Sequence, residues 1–393
     1  MNPHTPVITS GARTAIASFM GSFAGIPAPA LAAHVLKANL ERSNLDPKEV
    51  DEVILGQVLQ GGVGQAPARQ AAIFAGIPHT TSAWTVNKVC SSGLRAVMSA
   101  AQTITLGDAK VMLAGGMENM SLAPYLLDRA RAGLRLGHGT VNDMMITDGL
   151  WDPYGNVHMG SCAEMCAREH KISREAQDEF SAESYRRAIA AQKDGKFKNE
   201  IVPVIIKDRK GEIAIDLDDE PGKVNFEKMG SLKPAFEKDG TITAANASKL
   251  DDGASAVAMM SYEESQRRGI KPLARIAGYA THSQQPEWFT TAPAGAVQKL
   301  LRRLDWKVSD VDLFELNEAF AVVGIYNTKE LGVSPDKVNV WGGAVALGHP
   351  IGSSGCRILV TLIHALRDRG GKRGVVGICN GGGEATAMAV ELF

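Results

Sequence analysis

Short apolar runs recur along the chain at Val53-Ile54-Leu55, Val111-Met112-Leu113-Ala114 and Val375-Val376-Gly377-Ile378. Apolar residues at successive rather than alternate positions are what strands buried on both faces require. Alanine-rich stretches of helical character lie between them, from Gly93 to Leu106 and from Ser354 to Ala365. The alternation predicts an α/β layered fold with parallel strand pairing. A further helix is predicted from Ser173 to Gln192, with Ser173 as its cap and Gln177 and Asp178 close behind.

The two ends of the chain resemble each other. Val50-Asp51-Glu52-Val53 has a counterpart in Val311-Asp312-Leu313-Phe314, and Ser91-Ser92-Gly93-Leu94-Arg95 has one in Ser353-Ser354-Gly355-Cys356-Arg357. The strand at Val111 matches the strand at Val375. Three matches in one order at a nearly constant offset predict a duplicated domain, two similar sheets related by a pseudo-two-fold. Residues 121 to 249 differ in character, with a charged stretch from Asp128 to Arg135, a turn-rich one from Gly137 to Asp143 and an acidic loop from Asp216 to Gly222. They are expected to form an insertion that carries substrate contacts, between an N-terminal domain (1–120 plus 250–270) and a C-terminal one (271–393).

At 393 residues the chain exceeds the size at which a single core stops growing, which supports more than one packed unit. Hydrophobic residues make up 45% and charged residues 22%, with no run long enough to span a bilayer, so no membrane association is expected. The 42 Lys and Arg balance 43 Asp and Glu, which leaves no global field for nucleic acid; an anionic ligand must be met locally. No signal or transit pattern stands in Met1 to Ala12, and the expected compartment is the cytoplasm. The five cysteines do not pair into a disulfide framework and are expected to be reduced thiols. Cys162 and Cys166, at i, i+4, supply at most half a metal site; packing is the expected role, and neither a metal nor a cofactor is expected.

Three segments carry candidate chemistry. Asn87-Lys88-Val89-Cys90-Ser91-Ser92-Gly93 puts a thiol between a strand and a helix, where free N–H groups are expected to lower its pKa and make Cys90 a nucleophile. Gly348-His349-Pro350 lies in a glycine-dense turn ahead of a helix, so that His349 could take the Cys90 proton. Cys379-Asn380-Gly381-Gly382-Gly383 brings a second thiol to a strand end, with backbone N–H groups free to face an oxyanion. Neither a phosphate-binding loop nor a dinucleotide fingerprint occurs, which argues against nucleotide chemistry.

Together with Asn317-Glu318-Ala319-Phe320, these segments resemble the thiolase family in order and spacing, from Arg13-Thr14 to the C-terminus, and include Gly115 to Ser121 and His158-Met159-Gly160. The details are most similar to short-chain, acetoacetyl-CoA-forming members. The resemblance implies a duplicated five-layered α-β-α-β-α fold with a loop domain over the active site. It also implies that Cys90 carries the acetyl group, His349 accepts its proton and Cys379 deprotonates the second acetyl-CoA. One oxyanion site is then His349 with a water held by Asn317, the other the N–H groups of Cys90 and Gly381. His158, Met159, Phe236, Ala247, Ser248, Ala319 and Phe320 are implied to line the pantetheine and acyl tunnel, with Lys223 a candidate on the CoA-phosphate side. Acetyl-CoA, acetoacetyl-CoA and CoA are the implied ligands, and a homotetramer, a dimer of dimers joined through residues 121 to 145, is the implied assembly.

Two positions depart from the family pattern. Trp341 stands where Asn is usual, and is expected to alter the packing of the His349 loop or the tunnel; Phe289 stands where Met is frequent, and bears on acyl preference. Alternative readings are a 3-ketoacyl-CoA thiolase of broader chain length, a carrier-protein-fed synthase of the same fold, which the second cysteine opposes, and a non-catalytic CoA- or lipid-binding homologue, which the complete residue set opposes.

Overall fold

The computed structural model describes residues 2–208 and 211–393. Its main elements run in chain order β1 (Pro6–Arg13), α1 (Ala28–Arg42), β2 (Glu52–Gly56), α2 (Pro67–Phe74), β3 (Ser82–Val86), α3 (Ser92–Leu106), β4 (Val111–Asn119), α4 (Met159–Glu169), α5 (Arg174–Lys193) and β5 (Asp251–Ser261). The second half follows as β6 (Ala274–Ser283), α6 (Ala292–Leu304), β7 (Leu313–Leu316), α7 (Ala321–Leu331), α8 (Ile351–Arg369), β8 (Arg373–Asn380) and β9 (Glu384–Leu392). Each apolar run singled out in the sequence lies in a strand, and each alanine-rich stretch in a helix. Ser173 caps α5, its hydroxyl accepting from the N–H of Ala176 at 3.2 Å.

The strands follow one hydrogen-bonded path, β3-β2-β4-β5-β1-β6-β9-β8-β7. Reading outward from the centre, β1, β5, β4, β2 in one half correspond to β6, β9, β8, β7 in the other, which is the duplication seen in the sequence. The expected two sheets meet edge to edge, since β1 and β6 pair at Val7 with Arg275 and Ile8 with Ala274. The expectation of parallel pairing is corrected. Only β2 with β3 and β4, and β7 with β8, run parallel, while the inner strands are antiparallel. The cause lies in the connections: β8 turns straight back into β9 through Gly381 to Gly383, and the insertion returns β5 beside β4.

Helices α3 and α8 lie together between the two halves, α8 touching strands of both, while α1 and α2 cover one outer face and α6 the other. These five layers are the expected α-β-α-β-α order. Glycine lets the central helices approach: a Cβ on Gly355 would stand 2.6 Å from the backbone nitrogen of Leu94, and one on Gly93 would stand 3.0 Å from three backbone atoms of α8. These are the matched glycines of the two Ser-Ser-Gly segments. The segment between Asn119 and Asp251 leaves and re-enters the sheet at neighbouring strands, and its described residues carry α4, α5 and three short two-stranded ribbons.

Candidate active site

Cys90 sits at a sharp bend that the chain holds in a costly conformation. Val89 has φ +46°, a left-handed value that a β-branched residue rarely adopts. The side chain of Asn87 accepts from the Val89 N–H at 3.0 Å, and Ser92 Oγ accepts from Lys88 N at 2.8 Å while donating to the Val89 carbonyl at 2.6 Å. Lys88 Nζ is 2.5 Å from Glu384, which ties this bend to the hairpin carrying Gly381. The N–H groups of Cys90 and Gly381 both face the Cys90 thiol.

The expected lowering of the Cys90 pKa is not found. Burial pushes the thiol up to about 12, and the nearby Glu118 carboxylate adds to that, outweighing the two N–H groups. Cys90 is partly open toward a cavity, but protein packs closely around its sulfur, and there a thiolate loses more hydration than the helix end returns. Burial likewise moves His349 down to about 3, helped by Arg357. The resting pair is therefore a neutral thiol and a neutral imidazole.

His349 is fixed on every side. Its N–H donates to Asp251 Oδ2 at 2.8 Å, its Nδ1 is 2.7 Å from Ser354 Oγ, and its Nε2 is 3.5 Å from the amide nitrogen of Asn317. Asn317 follows β7 and is buried, and its Oδ1 has no hydrogen-bond partner among the described residues. Such a pair of nitrogens facing one point can bind an oxygen between them. Glu318 accepts from Ser184 Oγ at 2.7 Å, Asn339 Nδ2 at 2.8 Å and Val345 N at 3.1 Å, and so braces the turn that leads to His349.

Cys379 is the penultimate residue of β8 and fully buried, packed among Met159, Phe289, Ala319 and Phe320. Its thiol is pushed well above the ordinary value by burial and by the proximity of Cys90. Gly382 and Gly383 take φ +88° and +76°, the conformations that bring the chain back as β9 and leave the N–H of Gly381 directed at Cys90.

A mainly apolar cavity of about 360 Å³ opens on Cys90, His349 and Gly381. His158, Met159, Phe236, Ala247, Ser248, Ala319 and Phe320 all line it, as does Phe289. His158 stacks on Phe236 at 4.7 Å, with its Nδ1 accepting from Gly160 N at 3.0 Å. Phe320 meets Phe236 and Phe289 edge-on at 6.1 and 6.4 Å. The walls come from the insertion and from the second half of the chain, which the bridge between Ala247 and Phe320 joins.

Two expectations are placed elsewhere. Lys223 is not among the lining residues; its ammonium contacts Ser18 and lies 3.5 Å from Glu220, because the short helical turn at Pro221–Lys223 directs it back on the acidic loop. Trp341 does not reach the tunnel: it is buried edge-on against Phe197 at 5.8 Å and borders a separate groove with Arg42 and His364. Cys162 and Cys166 are buried in α4 within the apolar cluster around Cys379. Residues that sequence reasoning passed over are Glu118, whose carboxylate accepts from Val58, Leu59 and Gly352 N–H groups and is held up at about 7 by burial, and Asp251, Ser354 and Lys249.

Family models described as the thiolase N-terminal domain and the thiolase C-terminal domain match residues 6–263 and 270–392. The chain is 50% identical to acetyl-CoA acetyltransferase 2 of Arabidopsis thaliana over 100% of its own length and 98% of that protein's. It is 52% identical to the acetyl-CoA acetyltransferase of Chromobacterium violaceum, covering 98% of each. The crystal structure of the Bacillus anthracis acetyl-CoA acetyltransferase, at 42% identity, superposes with a TM-score of 0.97 over 99% of both chains.

Proposed function

The chain belongs to the thiolase family, and on that premise we propose that it is an acetyl-CoA C-acetyltransferase, joining two acetyl-CoA reversibly into acetoacetyl-CoA and CoA. The observation that carries this reading is the convergence of Cys90, His349 and the N–H of Gly381 on one apolar cavity, with Cys379 and Asn317 directly behind it. The printed names of full-length relatives at about half identity support the same reaction.

The pKa ordering shapes the first step. A thiol near 12 and an imidazole near 3 do not form an ion pair unaided, so Cys90 gives up its proton to His349 Nε2 only as Sγ bonds to the thioester carbonyl. The carbonyl oxygen takes negative charge and is met by the N–H groups of Cys90 and Gly381, each such donor contributing about 3 kcal/mol. The carbon–sulfur bond to CoA breaks and the Cys379 thiol gives its proton to the departing CoA thiolate, so that acetyl-Cys90, a protonated His349 and a Cys379 thiolate remain.

A second acetyl-CoA then enters, its thioester oxygen between His349 and the water of Asn317. Cys379, as thiolate, takes a proton from the α-carbon. Burial that makes its thiol a weak acid makes its thiolate a strong base, which a carbon acid demands. The carbanion attacks the acetyl carbonyl, the bond to Cys90 breaks, acetoacetyl-CoA forms, and the His349 proton returns to the Cys90 sulfur while Cys379 keeps the α-proton. The chain needs no metal or cofactor for these steps, CoA being substrate and product.

Lys223 remains a candidate for the CoA phosphates, as the family resemblance implies. A homotetramer is supported by the ribbon of Tyr125–Leu127 and Val141–Asp143, which presents Tyr125, Leu127, Leu134, Leu136 and Val141 to solvent. No helix among the described residues is long and apolar enough to cross a membrane, and we assign the enzyme to the cytoplasm and to lipid metabolism. The test is thiolysis: purified protein with acetoacetyl-CoA and CoA, following loss of enolate absorbance, beside Cys90→Ser and Cys379→Ser. Rapid loss that both substitutions abolish is expected; no loss with the wild type overturns the reading.

A further inference from the structure

Lys249 follows Ser248 directly and borders the same cavity, yet no step above uses it. Its side chain turns inward. Nζ donates to the carbonyl of Ala247 at 2.9 Å and to that of Val345 at 3.3 Å, and lies 5.5 Å from the centre of the Tyr185 ring. Ala247 belongs to the acyl-cavity wall. Val345 belongs to the turn that ends at His349, 96 residues further along. One ammonium thus bridges the two segments that must agree on where a thioester sits and where its proton goes.

The charge is built into its surroundings. Glu220, Asp251 and Glu318 lie near enough for their charges to act on this ammonium. Two of the three grip the His349 segment themselves, Asp251 through the His349 N–H at 2.8 Å and Glu318 through the Val345 N–H at 3.1 Å. Burial pulls Lys249 down to about 8 while these carboxylates oppose the change. Burying an ammonium costs several kcal/mol unless carbonyls, a π face and counter-charges offset it, and an apolar side chain would fill the space without that cost.

We propose that Lys249 is a positioning residue whose ammonium ties the acyl-cavity loop to the His349 segment, setting the register between the bound thioester and its proton acceptor. The inference rests on the thiolase reading of the site. Wild-type turnover of acetoacetyl-CoA with CoA tests that reading alone. Lys249→Met and Lys249→Ala are then compared with the wild type, with melting temperatures recorded for each. A fall of about 10- to 100-fold in kcat/KM is expected for both, the scale on which a displacement of about 1 Å acts. Methylammonium added to Lys249→Ala should restore activity several-fold, because a free cation can take the vacated place. It should leave Lys249→Met unchanged, because the thioether occupies that place. A Lys249→Met enzyme as active as the wild type, or a Lys249→Ala deficit that methylammonium does not reduce, overturns the proposal. Should the alanine variant fail to fold, Lys249→Arg replaces it: retention of charge should leave it more active than Lys249→Met, and equal activities overturn the proposal.

Discussion

The Nδ1 of His349 stands 2.7 Å from the Oγ of Ser354, whose own proton is directed at the Pro350 carbonyl at 3.0 Å. With that proton committed, the hydroxyl can only accept from the ring, so Nδ1 carries the hydrogen and Nε2 keeps its lone pair for Cys90. Ser354→Ala releases the ring to the other tautomer. Its kcat is expected to fall about 10-fold or more with little change in KM, measured by steady-state thiolysis. An unchanged kcat would show that Asn317 alone fixes the tautomer.

Ser354 was half legible in the sequence. It is the second serine of Ser353-Ser354-Gly355, matched to Ser91-Ser92-Gly93, and Ser92 performs a related task one half earlier by holding the Cys90 bend. The repeat in the letters is thus a repeat of two helix starts, one presenting the nucleophile and one its base. Strands and helices were legible for the same reason: a run buried on both faces leaves a continuous apolar signature. Strand direction was not, because it depends on whether a connection is a hairpin or a helical crossover. The pKa of Cys90 was misjudged because burial is a property of the whole fold, whereas a helix start can be read locally. Lys249 was invisible because both carbonyls and all its carboxylates are supplied by other parts of the chain or by its own backbone turn.

The crossing of α3 and α8 predicts unequal tolerance of alanine. In Gly355→Ala the new methyl meets the Leu94 backbone at 2.6 Å, where nothing can rotate away. A loss of about 3 kcal/mol or failure to fold is expected. Gly25→Ala meets nothing within 4 Å and should stay within about 0.5 kcal/mol of the wild type. Urea denaturation of the three proteins checks this, and equal midpoints would mean that the central helices part without cost.

Phe289 is 3% exposed and closes the cavity wall beside Phe320. Replacing it by Leu opens space for further methylenes of a 3-ketoacyl chain. The ratio of kcat/KM for 3-ketohexanoyl-CoA to that for acetoacetyl-CoA should rise about 10-fold, the scale at which pockets discriminate methylene groups. A ratio that does not move would place the chain-length limit elsewhere along the tunnel. Trp341→Asn, in contrast, should leave the ratio unaltered, since its indole borders a different groove.

The buried imidazole also makes stability fall toward acid. Burial holds His349 at about 3, against 6.5 for an ordinary histidine. Between those values the unfolded chain binds a proton that the folded chain refuses, so each step down in pH favours unfolding. From pH 7 to pH 5 this group alone should remove about 2 kcal/mol. His349→Asn cannot titrate, and is expected to lose that much less over the same interval in guanidinium denaturation at the two pH values. Glu118 acts in the opposite sense. Held at about 7 by burial, it keeps its proton where the unfolded carboxyl has lost it, so its contribution is complete in acid and disappears as pH rises through 7. Because Glu118 is common to both proteins, its effect cancels in the comparison. Equal acid sensitivity of the two would mean that His349 accepts a proton in the folded state well above 3, with Asn317 or Ser354 rotating to receive it.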